Sequence, residues 1–350
     1  LGKRPGLTQQ SVMQNVLDQT DISSLRQLLR DILFWTFSIE FVGGIILSWR
    51  FFSLLPVTLD RAIYLGIFHA VSGFCNAGFA LFPDNFMKFV GDPWVNGTIM
   101  LLIVFGGLGF PVLSALRAYY LGNTGRKRLD NHTFLAVTMT IALLFFGTLG
   151  ILLLDSNSPA MQNLSFSEKV WASAFQSVAT RTAGFNTIDI GAMHPQTLIL
   201  MVMLMFIGAS PCSTGGGIKT TTAAIMILTL WSQMRGEQEV VVRERTIPGD
   251  IVLKAFLITA IAAVLVVLFS FLLVISEGKP LLTVLFEATS AFGTVGLSMN
   301  FSPSLTSVGR LLIIILMFIG RVGPLTLALS FINQPRRGEI RYPASRVMVG

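Results

Sequence analysis

The sequence predicts an all-α membrane protein built from repeated membrane helix–pore loop–membrane helix units. Three observations carry that expectation. Of 350 residues, 53% are hydrophobic and only 12% are charged, about half the charged share of a soluble globular domain. The apolar residues fall into runs long enough to cross a bilayer, which takes about 20 residues in a helix. Between those runs, a short apolar stretch followed by a glycine-bearing turn recurs three times. The formal charge of +7 would suit a nucleic-acid binder, but the basic residues are confined to links between apolar runs, so no nucleic-acid partner is expected. Cys75 and Cys212 lie 137 positions apart inside apolar segments and suggest neither a disulfide framework nor a metal cluster.

Six segments reach spanning length: 32–50, 95–116, 134–154, 197–231, 251–275 and 309–332. Shorter apolar stretches at 62–75, 170–180 and 281–292 alternate with them. A helix of that length cannot cross the bilayer, so these read as re-entrant half-helices buried in protein. Seventeen Lys and Arg residues lie on the side of the termini and of the 117–133 and 232–250 links, against seven on the side of the re-entrant loops, Arg181 among the seven. That asymmetry predicts a multi-pass protein with both termini of this chain in the cytoplasm and lipid around its helices.

The three stretches align as Phe68-His-Ala-Val-Ser-Gly-Phe-Cys-Asn-Ala-Gly78, Phe175-Gln-Ser-Val-Ala-Thr-Arg-Thr-Ala-Gly184 and Phe286-Glu-Ala-Thr-Ser-Ala-Phe-Gly-Thr-Val-Gly296, with the last glycines 106 and 112 residues apart. Each is followed by a second signature: Phe105-Gly106-Gly107, Ile207-Gly208-Ala209 and Ile319-Gly320-Arg321. The physical rationale is ion dehydration. A potassium filter replaces the hydration shell with backbone carbonyls from several loops, and glycine adopts the positive φ such a loop needs at little cost. Thr294-Val295-Gly296 matches the Thr-Val-Gly core of such filters, with Thr182-Ala183-Gly184 and Asn76-Ala77-Gly78 as looser versions. A half-helix before each turn aims its partly negative C-terminus into the membrane, which suits a cation.

On these motifs the chain resembles the Trk/Ktr/HKT superfamily of potassium transporters, and within it the KtrB-type membrane subunit of potassium-uptake systems. The resemblance spans essentially the whole chain, through Thr180-Arg-Thr-Ala-Gly-Phe-Asn to the Arg341-Tyr-Pro close. It implies a pseudo-fourfold pore of four repeats, transported K+ at the filter residues Asn76, Ala77, Gly78, Thr182, Ala183, Gly184, Thr294, Val295 and Gly296, and Na+ as a possible activator. It also implies a homodimer in the plasma membrane, docked on a cytoplasmic nucleotide-binding ring of KtrA-like subunits. Only three filter segments are present, and Leu1 stands where an initiator Met would. They correspond to the second, third and fourth repeats, at 31–121, 122–235 and 236–333, with a cytoplasmic segment at 1–30 and a tail at 334–350. A first repeat of roughly 100 residues is then expected to precede them.

The run Gly208-Ala-Ser-Pro-Cys-Ser-Thr-Gly-Gly-Gly-Ile-Lys219 cannot continue a helix. Irregular backbone at membrane depth must line a cavity or be buried, and the resemblance implies a loop that obstructs the pore. Its candidate gate residues are Gly208, Ala209, Ser210, Ser213, Thr214, Gly215, Gly216, Gly217 and Lys219. Arg321 joins them, because a charge in the last span costs at least about 2.5 kcal/mol unless it faces water or a partner. About 5 Å from the axis it would oppose a passing K+ by roughly 3 kcal/mol at an effective dielectric of 20. An ion pair of Arg321 with Glu40 or Glu287 is the alternative. Asp84 and Asp189 follow two of the filter turns and read as outer-mouth attractors or solvated acids. No Walker loop, nucleophile elbow or catalytic pair is present, so neither an enzyme nor an organic cofactor is expected. A secondary cation or solute transporter with broken helices would show inverted repeats, whereas these run in one direction; a non-conducting, interaction-only fragment is the other alternative.

Overall fold

The computed structural model describes residues 22–121, 128–237 and 239–323, and they are predominantly helical. Helices α1 (Ile22–Leu54), α2 (Leu59–Phe74), α3 (Pro93–Leu108) and α4 (Phe110–Leu121) come first. They are followed by α5 (Asn131–Asp155), α6 (Phe166–Ala179), α7 (Pro195–Phe206) and α8 (Thr220–Met234). A two-residue antiparallel hairpin, β1 (Val241–Val242) with β2 (Arg245–Thr246), leads into α9 (Gly249–Glu277), α10 (Leu281–Gly293) and α11 (Ser307–Val322). Long helix, short helix, turn and apolar helix thus follow one another three times.

Three of the long helices, α1 from Leu29 onward, α5 and α9, are long and apolar enough to cross a membrane unbroken. Their outward faces carry Phe37 and Phe41, Phe145 and Phe146, and Val264 and Phe271. A helix apolar on every side belongs in lipid or in a core. Starts are marked by local chemistry. Asp92 accepts the Val95 amide at 2.9 Å ahead of Pro93, Asp130 accepts the Thr133 amide at 3.1 Å, and Ser165 with Glu168 forms a capping box at α6. Arg50 of α1 closes on Asp92 at 2.5 Å, which fixes the start of α3 against the end of α1.

Inside lipid, helix association rests on packing and hydrogen bonds rather than on the exclusion of water. The seam between the first and second groups of helices is accordingly dense with rings: Phe51, Phe86 and Phe175 are fully buried, and His69 stacks on Phe82 at 4.9 Å between centroids. A second cluster, around Phe292, Val266 and Leu316, joins α9, α10 and α11.

Two sequence expectations need correction. The stretch 95–116 is not one straight span: α3 and α4 meet at 100° across Gly109. Gly109 has φ +91°, and Pro111 two residues later cannot accept a helix continuing into it from α3. Likewise α11 ends at Val322, where Gly323 takes φ +96° and ψ 129°, close to the φ and ψ of Gly109. Residues 324–332 of the expected last span lie outside the described residues, as do the 334–350 tail and residues 1–21.

Candidate functional site

The three glycine turns share one backbone signature. Asn76, Thr182 and Thr294 have φ of 51°, 69° and 52°, and Gly78, Gly184 and Gly296 have 72°, 75° and 90°. Ala77, Ala183 and Val295 between them keep negative φ, so its sign alternates along every turn. A non-glycine residue at positive φ is uncommon, and three at matched positions mark a conformation that the surroundings impose. Across the gaps, a Cβ placed on Gly78 would stand 2.6 Å from the Ala183 carbonyl oxygen, and one on Gly184 would stand 2.5 Å from that of Val295. Each of these carbonyls therefore points at the glycine of the neighbouring turn. The turns lie side by side in the order 78, 184, 296. Around Gly296, only the Gly184 Cα comes within 4 Å of such a Cβ, at 3.5 Å.

The first and third turns are held alike. The Ala77 amide donates to the Ser72 carbonyl at 2.9 Å and the Val295 amide to that of Ser290 at 2.8 Å. The Ser72 hydroxyl accepts the Phe79 amide at 3.0 Å, and the Ser290 hydroxyl accepts that of Gly296 at 3.2 Å. In the second turn the Ala183 amide returns to Ala179 instead, and Asn76 Nδ2 donates across to Thr182 Oγ1 at 3.1 Å. Asn76 Oδ1 and Thr294 Oγ1 are buried without a partner.

Residues 207–219 form a compact irregular loop between α7 and α8, closed at its base by a Gly208 amide donating to Ile218 carbonyl at 2.8 Å. Its glycines press on the turns: Cβ atoms on Gly215 and Gly216 would overlap the Thr182 and Thr294 hydroxyls. The Ser210 hydroxyl meets that of Thr220 at 2.8 Å, and the Ser213 hydroxyl donates to the Ser210 carbonyl at 2.6 Å. The Ala209 amide donates to the Gly216 carbonyl at 3.4 Å, the Ser210 amide to Gly107 at 2.9 Å, and the Phe110 amide to Cys212 at 3.1 Å. The loop thus rests in the elbow between α3 and α4. Thr214 is claimed from two sides, because its hydroxyl donates to the Phe74 carbonyl at 3.1 Å while its own carbonyl accepts Arg321 Nη1 at 2.5 Å. Lys219 Nζ donates to the Gly215 carbonyl at 2.8 Å. All ten candidate gate residues therefore belong to this loop or touch it, and Gly217, at φ +68°, sets its backbone against both Gly208 and Gly293.

The recurring second signature has a steric cause. A Cβ on Gly106 would overlap the Phe74 carbonyl and one on Gly320 that of Phe292, so only glycine lets the following helix pass the end of the half-helix. At Gly208 the same space is filled by the Gly216 carbonyl of the loop itself.

Several charged residues sit differently from expectation. Arg321 makes no ion pair with Glu40 or Glu287; its partner is the Thr214 carbonyl. Glu40 lies beside Cys75 Sγ at 3.8 Å. Glu287 accepts from Ser302, bracing the segment after the third turn, and His69 Nε2 accepts the Leu81 amide after the first. Asp189 accepts Gly191 and Asn300, whereas Asp84 lies 3.8 Å from Lys88 and its Oδ1 has no hydrogen-bond partner. Arg181, counted from sequence with the rim, is only 6% exposed and turns inward.

Three glycine turns packed side by side among membrane-length helices fit a multi-pass membrane transport protein, the class that the family and relatives give, rather than an enzyme. The chain belongs to the TrkH family of cation transport proteins, whose family model matches residues 4–339. It is 40% identical to the Ktr system potassium uptake protein B of Bacillus subtilis, over 100% of this chain and 77% of that protein. It is 36% identical to the protein of the same name from Vibrio alginolyticus, of which it covers 76%, and 33% identical to the potassium/sodium uptake protein NtpJ of Enterococcus hirae, of which it covers 77%. The crystal structure of the potassium transporter TrkH from Vibrio parahaemolyticus shares the fold, with a TM-score of 0.73 at 17% identity, over 93% of this chain and 68% of that one.

Proposed function

We propose that this chain carries K+ across the plasma membrane as the ion-conducting subunit of a Ktr/Trk-type uptake system. The observation that carries the reading is the shared sign-alternating turn, with the Ala183 and Val295 carbonyls directed at the neighbouring glycines. Residues 31–121, 122–235 and 236–333 then serve as three pore units, each supplying one side of a pseudo-fourfold filter. A fourth side completes the ring beyond Gly296. Backbone carbonyls replace the water that K+ sheds, and the half-helix C-termini add partial negative charge. The relatives' names support K+ as the cargo, and the potassium/sodium protein of E. hirae supports a place for Na+.

The 207–219 loop is the gate in this reading. Gly215 and Gly216 lie directly against the inner ends of two turns, and Lys219 and Arg321 hold two of the loop carbonyls. The membrane subunit works as a homodimer with a cytoplasmic nucleotide-binding ring, KtrA-like in kind, and both termini of this chain face the cytoplasm.

Rubidium tracer flux into proteoliposomes tests the proposal, with the complete protein beside residues 1–350. The complete protein is expected to pass rubidium and residues 1–350 alone to show no selective flux. Restoration of potassium-dependent growth by residues 1–350 alone would refute the four-sided ring. Arg321→Ala in the complete protein should raise flux by up to about a hundredfold, as a fixed charge near the path is removed. An unchanged uptake velocity would count against Arg321 as part of the gate.

A further inference from the structure

Arg181 immediately precedes the second candidate filter turn and is buried at 6% exposure. No carboxylate among the described residues pairs with it. Its guanidinium instead donates to two backbone carbonyls: Nη1 to Thr140 of α5 at 3.3 Å and Nη2 to Gly208 at 3.5 Å. Both contacts are long for charge-assisted hydrogen bonds, so the fork is shared between two acceptors. Beside it lies a cavity of about 10 Å³ lined by Thr140, Gly107, Val178 and Arg181, among others, and the Thr140 hydroxyl in that wall has no partner. The site is thus a charged side chain spanning a small gap, with room on one side.

The two ends of this contact differ. Thr140 sits within a continuous helix, whereas Gly208 opens the irregular loop, and its amide already closes the loop base on Ile218. A buried guanidinium is expensive at membrane depth unless its donors are used. Separating Gly208 from Arg181 therefore leaves a buried donor unmatched. The equivalent positions before the other two turns, Cys75 and Gly293, carry no charge. Of the two turns that the loop glycines press against, only the second has this arginine.

We propose that Arg181 is a positioning residue that pins the base of the 207–219 loop to the second filter turn, so that the loop leaves its blocking position only when the Gly208 contact breaks. The inference rests on the pore-and-gate reading above and adds to it the residue that couples gate to filter.

A double-mutant cycle separates that role from simple structural support. Rubidium flux is measured in the full-length chain, assembled with its regulatory ring, for Arg181→Gln and Arg181→Lys. Each variant is studied with the natural loop and with residues 210–214 deleted. With the natural loop, Arg181→Gln is expected to raise flux about tenfold, the effect of losing one charge-assisted hydrogen bond. Arg181→Lys, which keeps one donor, should raise it less. In the loop-deleted chain both substitutions should leave flux unchanged. An equal change in both backgrounds, or no change with the natural loop, overturns the proposal. Failure of both variants to yield monodisperse protein also overturns it, because the residue is then needed for folding. Two controls isolate the underlying reading. If the unsubstituted chain passes no rubidium, the pore reading fails, and if deleting 210–214 alone leaves flux unchanged, the gate reading fails.

Discussion

The first and third helix groups and the middle one use the same parts to different ends. In the outer two, the half-helix stops at Phe74 or Gly293, a serine hydroxyl fastens the turn, and the next helix runs past the half-helix end on a single glycine. In the middle group the turn amide returns four residues back rather than five, no serine fastens it, and the next helix breaks at Phe206 into an irregular loop. The hydrogen bonds that α7 gives up are recovered from Gly106, Gly107, Lys219 and Arg321. Repeated units therefore share the turn geometry, while one of them trades helix for an irregular loop. Loops of irregular backbone survive in the membrane because neighbouring elements satisfy their polar groups.

The sharpest way to break this comparison is through the turn glycines, whose surroundings are unequal. Gly184 has neighbours on both sides and Gly296 on one. Gly184→Ala is expected to cut rubidium flux by about a hundredfold or more, since the methyl must displace the Val295 carbonyl and φ +75° is strained for alanine. Gly296→Ala should cost about tenfold, from backbone strain alone. Equal losses at the two sites would mean that the neighbouring carbonyl plays no part.

Next come the passing glycines. Gly320→Ala and Gly106→Ala force a methyl into a helix-end carbonyl and are expected to lower stability by about 1–3 kcal/mol, read as earlier thermal aggregation in detergent. Gly208→Ala meets only the loop carbonyl of Gly216, so it should shift flux more than melting temperature. A drop in melting temperature as large as that of Gly320→Ala would show the loop to be as rigid as the helices.

The smallest effect concerns the serines. Ser72→Ala and Ser290→Ala each remove a hydroxyl that fastens a turn and should cost about 1 kcal/mol. Ser177→Ala, whose hydroxyl serves the Leu144 carbonyl instead, should leave ion discrimination unaltered. Competition of sodium against rubidium in the flux assay reads the difference.

Much of this architecture is written in composition. A lipid-facing helix must be apolar for its whole length, so α1, α5 and α9 are visible in hydropathy, and the density of glycine and proline at 208–217 betrays the broken helix. The elbow at Gly109 is different. Pro111 marks a break close by, but it does not say which of Gly106, Gly107 and Gly109 turns the corner until Pro211 of the loop is brought against Gly109. Arg181 was hidden for a similar reason. Its acceptors are main-chain carbonyls at Thr140 and Gly208, which every residue possesses, so no side-chain pattern announces them. Charge counting places an arginine by the loop it belongs to, whereas the fold places it by where its side chain turns.

Thr214 brings the first and third groups together on one residue, through its amide to Gly106, its hydroxyl to Phe74 and its carbonyl from Arg321. Such a junction cannot loosen by degrees. A shift of Thr214 would strand the Arg321 guanidinium without its acceptor and leave two helix-end carbonyls bare together. If the loop gates the pore as proposed, these contacts break together, and conduction is expected to be switched in discrete openings rather than dimmed.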